Sequence, residues 1–403
     1  MNPRYLLYFA IFSNFFGGYI IQWYQIGVFG SVDYGLFAMF PRTDFYYDSL
    51  IELCIIFTLI LFYEIIIKLS PSKINRKTHS CPEIRIKFES IFTFFIFAIS
   101  FFILINIQII DASLRGVDQN LRNVETSLSR VVLLLLPLFI FYAQFSQKTR
   151  LVKLALVCFF LCIFISQVAA GNRRILIYFV LAILCFRYSL MKIGYHRSAV
   201  KTTFRSLLLY SVLLLLLFSI YYFRSVQTIG VEHAGFVFLG ATLGALGSGL
   251  ILQQVQEYVS IDGYLFGETF VTALVSVFIP SVIMHLFTGS ESLIRSSSLF
   301  DYMFNTYTNM GFDFMLVSDF YWNFGYLGYS IFIGLTWFVL YYMNYLKDYK
   351  SPSFGYSLLL FICFFAGLRS DLGFFIKTFT YLSLFYFILI KLFTYRVKSN
   401  VIH

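Results

Sequence analysis

Apolar residues recur along this chain in runs of about twenty, the length that crosses a bilayer core as helix. The runs fall at 5–25, 47–69, 89–109, 130–146, 152–170, 175–190, 206–223, 324–345, 354–369 and 374–394, with short polar turns between them. This pattern predicts an all-α polytopic integral membrane protein, residues 1–403 forming a single membrane domain. Segment 224–323 breaks the rhythm. It holds two apolar stretches, 236–250 and 266–287, joined by QQVQEYVSIDGY, which has no Lys or Arg and carries Glu257 and Asp262. Such a link suits an extracytoplasmic position. We read 224–323 as a large extracytoplasmic loop region with amphipathic or re-entrant helices, a transmembrane pair being the alternative. Either choice keeps the span count even, at 10–12 transmembrane helices with both termini on one side. No internal repeat is visible, which weighs against a transporter built of duplicated halves. The first apolar run has no small-residue cleavage site and is expected to stay as a span.

Charge sets the orientation. Lys and Arg concentrate in 70–88, 147–153, 187–205, 346–350 and the tail after 390, which fall on one side; by the positive-inside rule that side is the cytoplasm. The ten basic residues left for the opposite side are Arg42, Arg115, Arg122, Arg130, Arg173, Arg174, Arg224, Arg295, Arg369 and Lys377. Arginine prevails among them, and its planar fork suits bidentate recognition of phosphate or carboxylate. The outer face also carries most of the acids. The net charge of +10 is therefore the inner loops facing anionic lipid, not a nucleic-acid footprint. The 6 cysteines lie in or beside apolar runs without metal-ligand spacing, so no metal or other cofactor is expected.

Several outer turns carry candidate chemistry. GNRR (171–174) places Arg173 and Arg174 at a helix start, where free backbone N–H groups favour anions. The plain alternative is interfacial anchoring. LRSD (368–371) sets Arg369 beside Asp371 in a tight turn, as an ion pair or as a positioned anion ligand. Arg224 follows the seventh span, and Glu232 with His233 follows it in GVEHAGF, a pairing that suits a general base near neutral pH or ordinary polar surface. The stretch after Arg295 is rich in Tyr, Trp, Asn and Asp, including Asp319, Trp322 and Asn323 before the run NFGYLG. Such residues stack on and hydrogen-bond sugars; they also form interfacial belts.

Taken together, GNRR, FGETF with VFIPSV (266–282), Asp319 ahead of Asn323, Gly325 and Gly328, and LRSD resemble the O-antigen and capsule repeat-unit polymerases, the Wzy family. The likeness covers about the last 240 residues. The chain departs from it at Asp319, where Glu is expected, and at Ser281, where a basic residue is expected. The resemblance implies a GT-C-like membrane enzyme: a metal-independent, lipid-dependent glycosyltransferase of the bacterial inner membrane, its active face periplasmic. It implies transfer of the growing undecaprenyl-diphosphate-linked glycan onto the next lipid-linked repeat unit. Arg173, Arg174, Arg224 and Arg369 would then hold the substrate diphosphate. Glu232, His233 and Asp371 would serve as base or orienting groups, and Arg295, Asp319, Trp322 and Asn323 would meet the glycan. A Wzz-like chain-length co-polymerase and a flippase are the implied partners. O-antigen ligase and lipid-linked oligosaccharide flippase are the rival readings.

Overall fold

The computed structural model describes residues 2–29, 45–69, 84–105, 133–146, 149–169, 173–192, 248–279, 296, 299–300 and 314–396. These are almost all helical. In chain order they form α1 (Pro3–Phe29), α2 (Phe45–Leu69), β1 (Ile84–Ile86), α3 (Glu89–Ile105), α4 (Leu133–Phe145), α5 (Arg150–Ala169) and α6 (Arg173–Lys192). There follow α7 (Ser248–Asp262), α8 (Glu268–Phe278), α9 (Leu316–Phe324), α10 (Tyr326–Tyr342) with a 3-10 turn (Met343–Lys347), α11 (Pro352–Gly367), α12 (Leu372–Phe393) and β2 (Thr394–Arg396). Nine of the apolar runs read from sequence coincide with helices; the run at 206–223 lies outside the described residues.

Three helical stretches among the described residues are long and apolar enough to cross a membrane: Asp48–Ile67, Tyr326–Lys347 and Leu372–Phe393. Their outer faces are as greasy as their inner ones. On α2, Leu53, Ile56, Ile60 and Tyr63 are buried, while Ile51, Ile55, Leu59, Phe62 and Ile66 are exposed. A helix apolar all round needs either a protein core or lipid, and here one side is left open by the described residues. On α3, Ile91, Phe94, Phe101 and Phe102 are exposed in the same way.

One end of the bundle is closed by polar clamps. The guanidinium of Arg4 (α1) donates to Glu64 Oε1 (α2) at 2.9 Å and to Asn344 Oδ1 at 2.8 Å, and the Tyr8 hydroxyl donates to Glu64 at 3.0 Å. The hydroxyl of Ser189 (α6) donates to the Lys347 carbonyl and accepts from the Tyr349 N–H. Gln144 (α4) donates to the Ser351 carbonyl and accepts from the Tyr386 hydroxyl (α12), both at 2.6 Å. β1 pairs antiparallel with β2, Ile84 opposite Arg396. These contacts gather at one end parts or neighbours of all the basic segments that the charge pattern placed on one side.

Segment 253–264 corrects the sequence reading. It looked like a link, yet all but its last two residues belong to α7, whose Ile251, Leu252 and Val255 are fully buried and follow a helical period. Hydropathy missed it because Gln253, Gln254 and Gln256 are buried as well. α7 packs on α1, α2 and α9. Of the apolar stretch read at 266–287, the described part holds a helix that ends at Phe278, where Ile279 is extended, as a residue before proline tends to be; 280–287 lie outside the described residues. The 11-residue α8 reaches about 16 Å, short of the roughly 30 Å apolar core of a bilayer. It lies against α12, with the Tyr381 hydroxyl donating to the Val277 carbonyl at 3.0 Å.

Candidate functional site

At the end opposite the clamps, α9 and α10 are separated by one residue. Gly325 adopts φ 59° and ψ −139°, a conformation closed to residues with a Cβ, and the Tyr264 ring packs directly on it. Gly328 sits so close to the Phe320 carbonyl that a Cβ would overlap it. The two glycines of NFGYLG thus fold α9 back on the head of α10.

Asp319 lies at the centre of this corner and is only 5% exposed. Its Oδ1 accepts from Ser296 Oγ at 2.5 Å and from Asn323 Nδ2 at 2.9 Å; its Oδ2 accepts from the backbone N–H of Leu372 at 2.8 Å. Thr269 continues the network, donating to Asn323 Oδ1 at 2.9 Å and lying 2.8 Å from Ser296 Oγ. Alongside, the Leu265 N–H donates to the Trp322 carbonyl at 2.9 Å, and the Phe270 and Phe324 rings meet edge-on with centroids 5.7 Å apart. Three motifs distant in sequence therefore interlock: FGETF, Asp319 with NFGYLG, and LRSD.

The last of these is held on both flanks. The Leu316 N–H donates to the Leu368 carbonyl at 3.2 Å, and Asp319 takes the Leu372 N–H. Between those two bonds sit Arg369, Ser370 and Asp371. Arg369 is half-buried there. Asp371 is buried and caps α12, its carboxylate accepting from the Phe374 N–H at 2.6 Å. Burial, and then the charge of Asp371, push the Asp319 carboxyl up to about 7, although its three hydrogen bonds act the other way.

The sequence-predicted residues fall in different surroundings. Asp319, Trp322 and Asn323 were expected to meet a glycan; all three are buried, Trp322 completely. The polarity of Asp319 and Asn323 serves the corner itself, since a buried amide and carboxyl must find partners, and here they find each other. Asp371, expected as a base or orienting group, is engaged as a helix cap. The backbone of Arg173 and Arg174 opens α6, so GNRR does lead into a helix start; because α6 ends at the clamped end, this start lies towards the Asp319 end. Arg224, Glu232, His233 and Arg295 lie outside the described residues. Among the described residues no cluster of His, Cys, Asp and Glu is arranged to hold a metal. Sequence reasoning missed Ser296 and Thr269 as partners of Asp319; Thr269 stood in plain view inside FGETF, but nothing in the sequence joins it to Asn323. The sequence matches no protein-family model and no curated protein, and the fold matches no solved structure.

Proposed function

We propose that this chain is an O-antigen-type surface polysaccharide polymerase, an inner-membrane glycosyltransferase that transfers the growing undecaprenyl-diphosphate-linked glycan onto the next lipid-linked repeat unit. The observation that supports it best is the Asp319 corner. Three of the motifs that carry the family resemblance converge there, and the turn bearing Arg369 is gripped on both sides at the end where α6 begins with Arg173 and Arg174. The basic, clamped end then faces the cytoplasm with both termini, and the Asp319 end faces the periplasm.

The chemistry follows from the residue types. The bond between the anomeric carbon of the growing chain and its diphosphate breaks, and a new bond forms from that carbon to a hydroxyl of the incoming unit. Charge grows on the departing diphosphate, and guanidiniums fixed beforehand stabilise it without reorganising. Arg173, Arg174, Arg369 and Arg224 are assigned to that task. The hydroxyl proton passes to Glu232 or His233. Asp319 does not touch substrate in this reading; it fixes the LRSD turn, and with it the backbone of Arg369. No metal step is invoked. A chain-length co-polymerase and a flippase supplying the lipid-linked unit are the proposed partners.

A gel profile of surface polysaccharide from cells lacking the gene tests the assignment. A single repeat unit on the acceptor, with the ladder gone, is the expected result. An unchanged ladder would overturn the reading. Long chains stranded on undecaprenyl diphosphate would indicate a ligase instead, and repeat units trapped inside a flippase.

A further inference from the structure

α2 carries three carboxylates: Asp48 in its first turn, and Glu52 and Glu64 deeper in, where an unpartnered charge is costly. Glu64 is accounted for by its ion pair with Arg4. Glu52 is not: among the described residues its partners are hydroxyl and amide groups and no cation. The Tyr329 hydroxyl (α10) and Gln256 Nε2 (α7) both donate to its Oε2 at 2.5 Å, and the Tyr326 hydroxyl faces it as well. Around this carboxylate the tyrosine rings are layered. Tyr329 stacks on Tyr321 with centroids 5.2 Å apart, Tyr326 meets both at 5.9 Å, and Tyr264 meets Tyr321 at 5.9 Å. The layers run from buried to open: Tyr329 is 7% exposed and Tyr326 is 65% exposed.

We propose that this is a sugar-binding platform, formed by Glu52, Tyr264, Tyr321, Tyr326 and Tyr329, for the glycan of the lipid-linked substrate; the assignment rests on the polymerase reading. A pyranose offers an apolar face to a tyrosine ring and hydroxyls at its edge, and an exposed ring beside a half-buried carboxylate offers both complements. An interfacial tyrosine belt would account for the rings but not for a carboxylate at their centre. Among the described residues, the carboxylates acting on Tyr326 are those of Glu52 and Asp48. They repel phosphates and uronates, so the platform takes a neutral or amino sugar and leaves the diphosphate to the arginines. The glycan surface is thus not Asp319, Trp322 and Asn323 but the tyrosines just beyond them.

The test is calorimetric titration of the full-length protein in nanodiscs. The probe is the repeat-unit oligosaccharide released by mild acid from undecaprenyl diphosphate of the same cells. Wild-type protein is expected to bind it. Glu52→Gln and Tyr326→Ala should each weaken binding by about tenfold, the loss that follows one charge-assisted hydrogen bond or one stacked ring. Tyr326→Trp should retain it, and trigalacturonate should not compete. Tyr326 is exposed, so its replacement leaves folding intact, which size-exclusion elution checks. No binding by wild type, equal binding by the variants, or displacement by trigalacturonate would overturn the platform. An unchanged ladder in the deletion strain overturns the polymerase reading instead, so the two failures are told apart.

Discussion

Asp319 and Leu372 are 53 residues apart in sequence and joined by a 2.8 Å hydrogen bond, carboxylate to backbone N–H. The bond ties the corner of α9 to the first residue of α12. On the other flank of the same turn, Leu316 is bonded to Leu368. A buried carboxyl thereby fixes the segment that carries Arg369, so a change at Asp319 reaches an arginine without touching it.

Asp319 makes stability depend on pH. Its carboxyl has an ordinary value of 3.8 and is pushed up to about 7 by burial and by Asp371. Between these values the folded protein holds a proton that the unfolded chain has released. Stability therefore falls as pH rises through that window and levels off above it. The apparent unfolding temperature in detergent should be higher at pH 5 than at pH 8. Asp319→Asn, which does not titrate, should flatten the slope. Asp319→Ala should lower stability at every pH by about 1–3 kcal/mol, because it strands the buried Leu372 N–H. A pH slope that persists in Asp319→Asn would assign the effect to another group.

The glycines of NFGYLG give a graded prediction. A Cβ at Gly328 would overlap the Phe320 carbonyl, whereas one at Gly334, two turns further along α10, meets nothing within 4 Å. Gly328→Ala should cost about 1–3 kcal/mol by forcing α9 away from α10. Gly334→Ala should be neutral or slightly stabilising, since alanine is the better helix former. Fluorescence-detected size exclusion of the two variants, heated in parallel, reads the difference. Equal melting would mean that the corner opens without penalty.

Much of the helical architecture was legible in the sequence, because a long apolar run identifies itself whatever its neighbours are. α7 was not, since its buried face mixes aliphatic residues with glutamines, and hydropathy scores the glutamines as solvent. The Asp319 corner was legible as motifs but not as a network. Ser296 and Thr269 reach Asp319 and Asn323 only through the fold, and composition cannot tell a buried Asn–Asp pair from one that faces a sugar. Glu52 is visible in the sequence as a charge inside the run 47–69. Its partners Gln256 and Tyr329, however, lie 204 and 277 residues away.

The arginine clamp predicts a pattern that simple anchoring does not. Arg173→Ala, Arg174→Ala and Arg369→Ala should each abolish the polysaccharide ladder while protein level and membrane insertion stay normal. Lysine should rescue poorly, since a point charge cannot reproduce the bidentate fork. An anchoring role, by contrast, accepts lysine. Complementation of the deletion strain, with immunoblotting of membranes, distinguishes them. A full ladder from all three alanine variants would remove these arginines from the mechanism.

At the clamped end, the pair Arg4–Glu64 is partly buried, with side chains 12% and 29% exposed, and bridges α1 to α2 at 2.9 Å. Arg4 also reaches Asn344 at the foot of α10. Removing one partner strands the other charge in a poorly solvated site, which costs about 3–5 kcal/mol when burial is full and less here. Removing both leaves neither charge stranded. Arg4→Met and Glu64→Met should therefore each destabilise the protein more than the double variant does. The coupling should appear as non-additive melting temperatures in a double-mutant cycle. Additive losses would show that the two side chains act independently, with α1 held instead by its packing on α7.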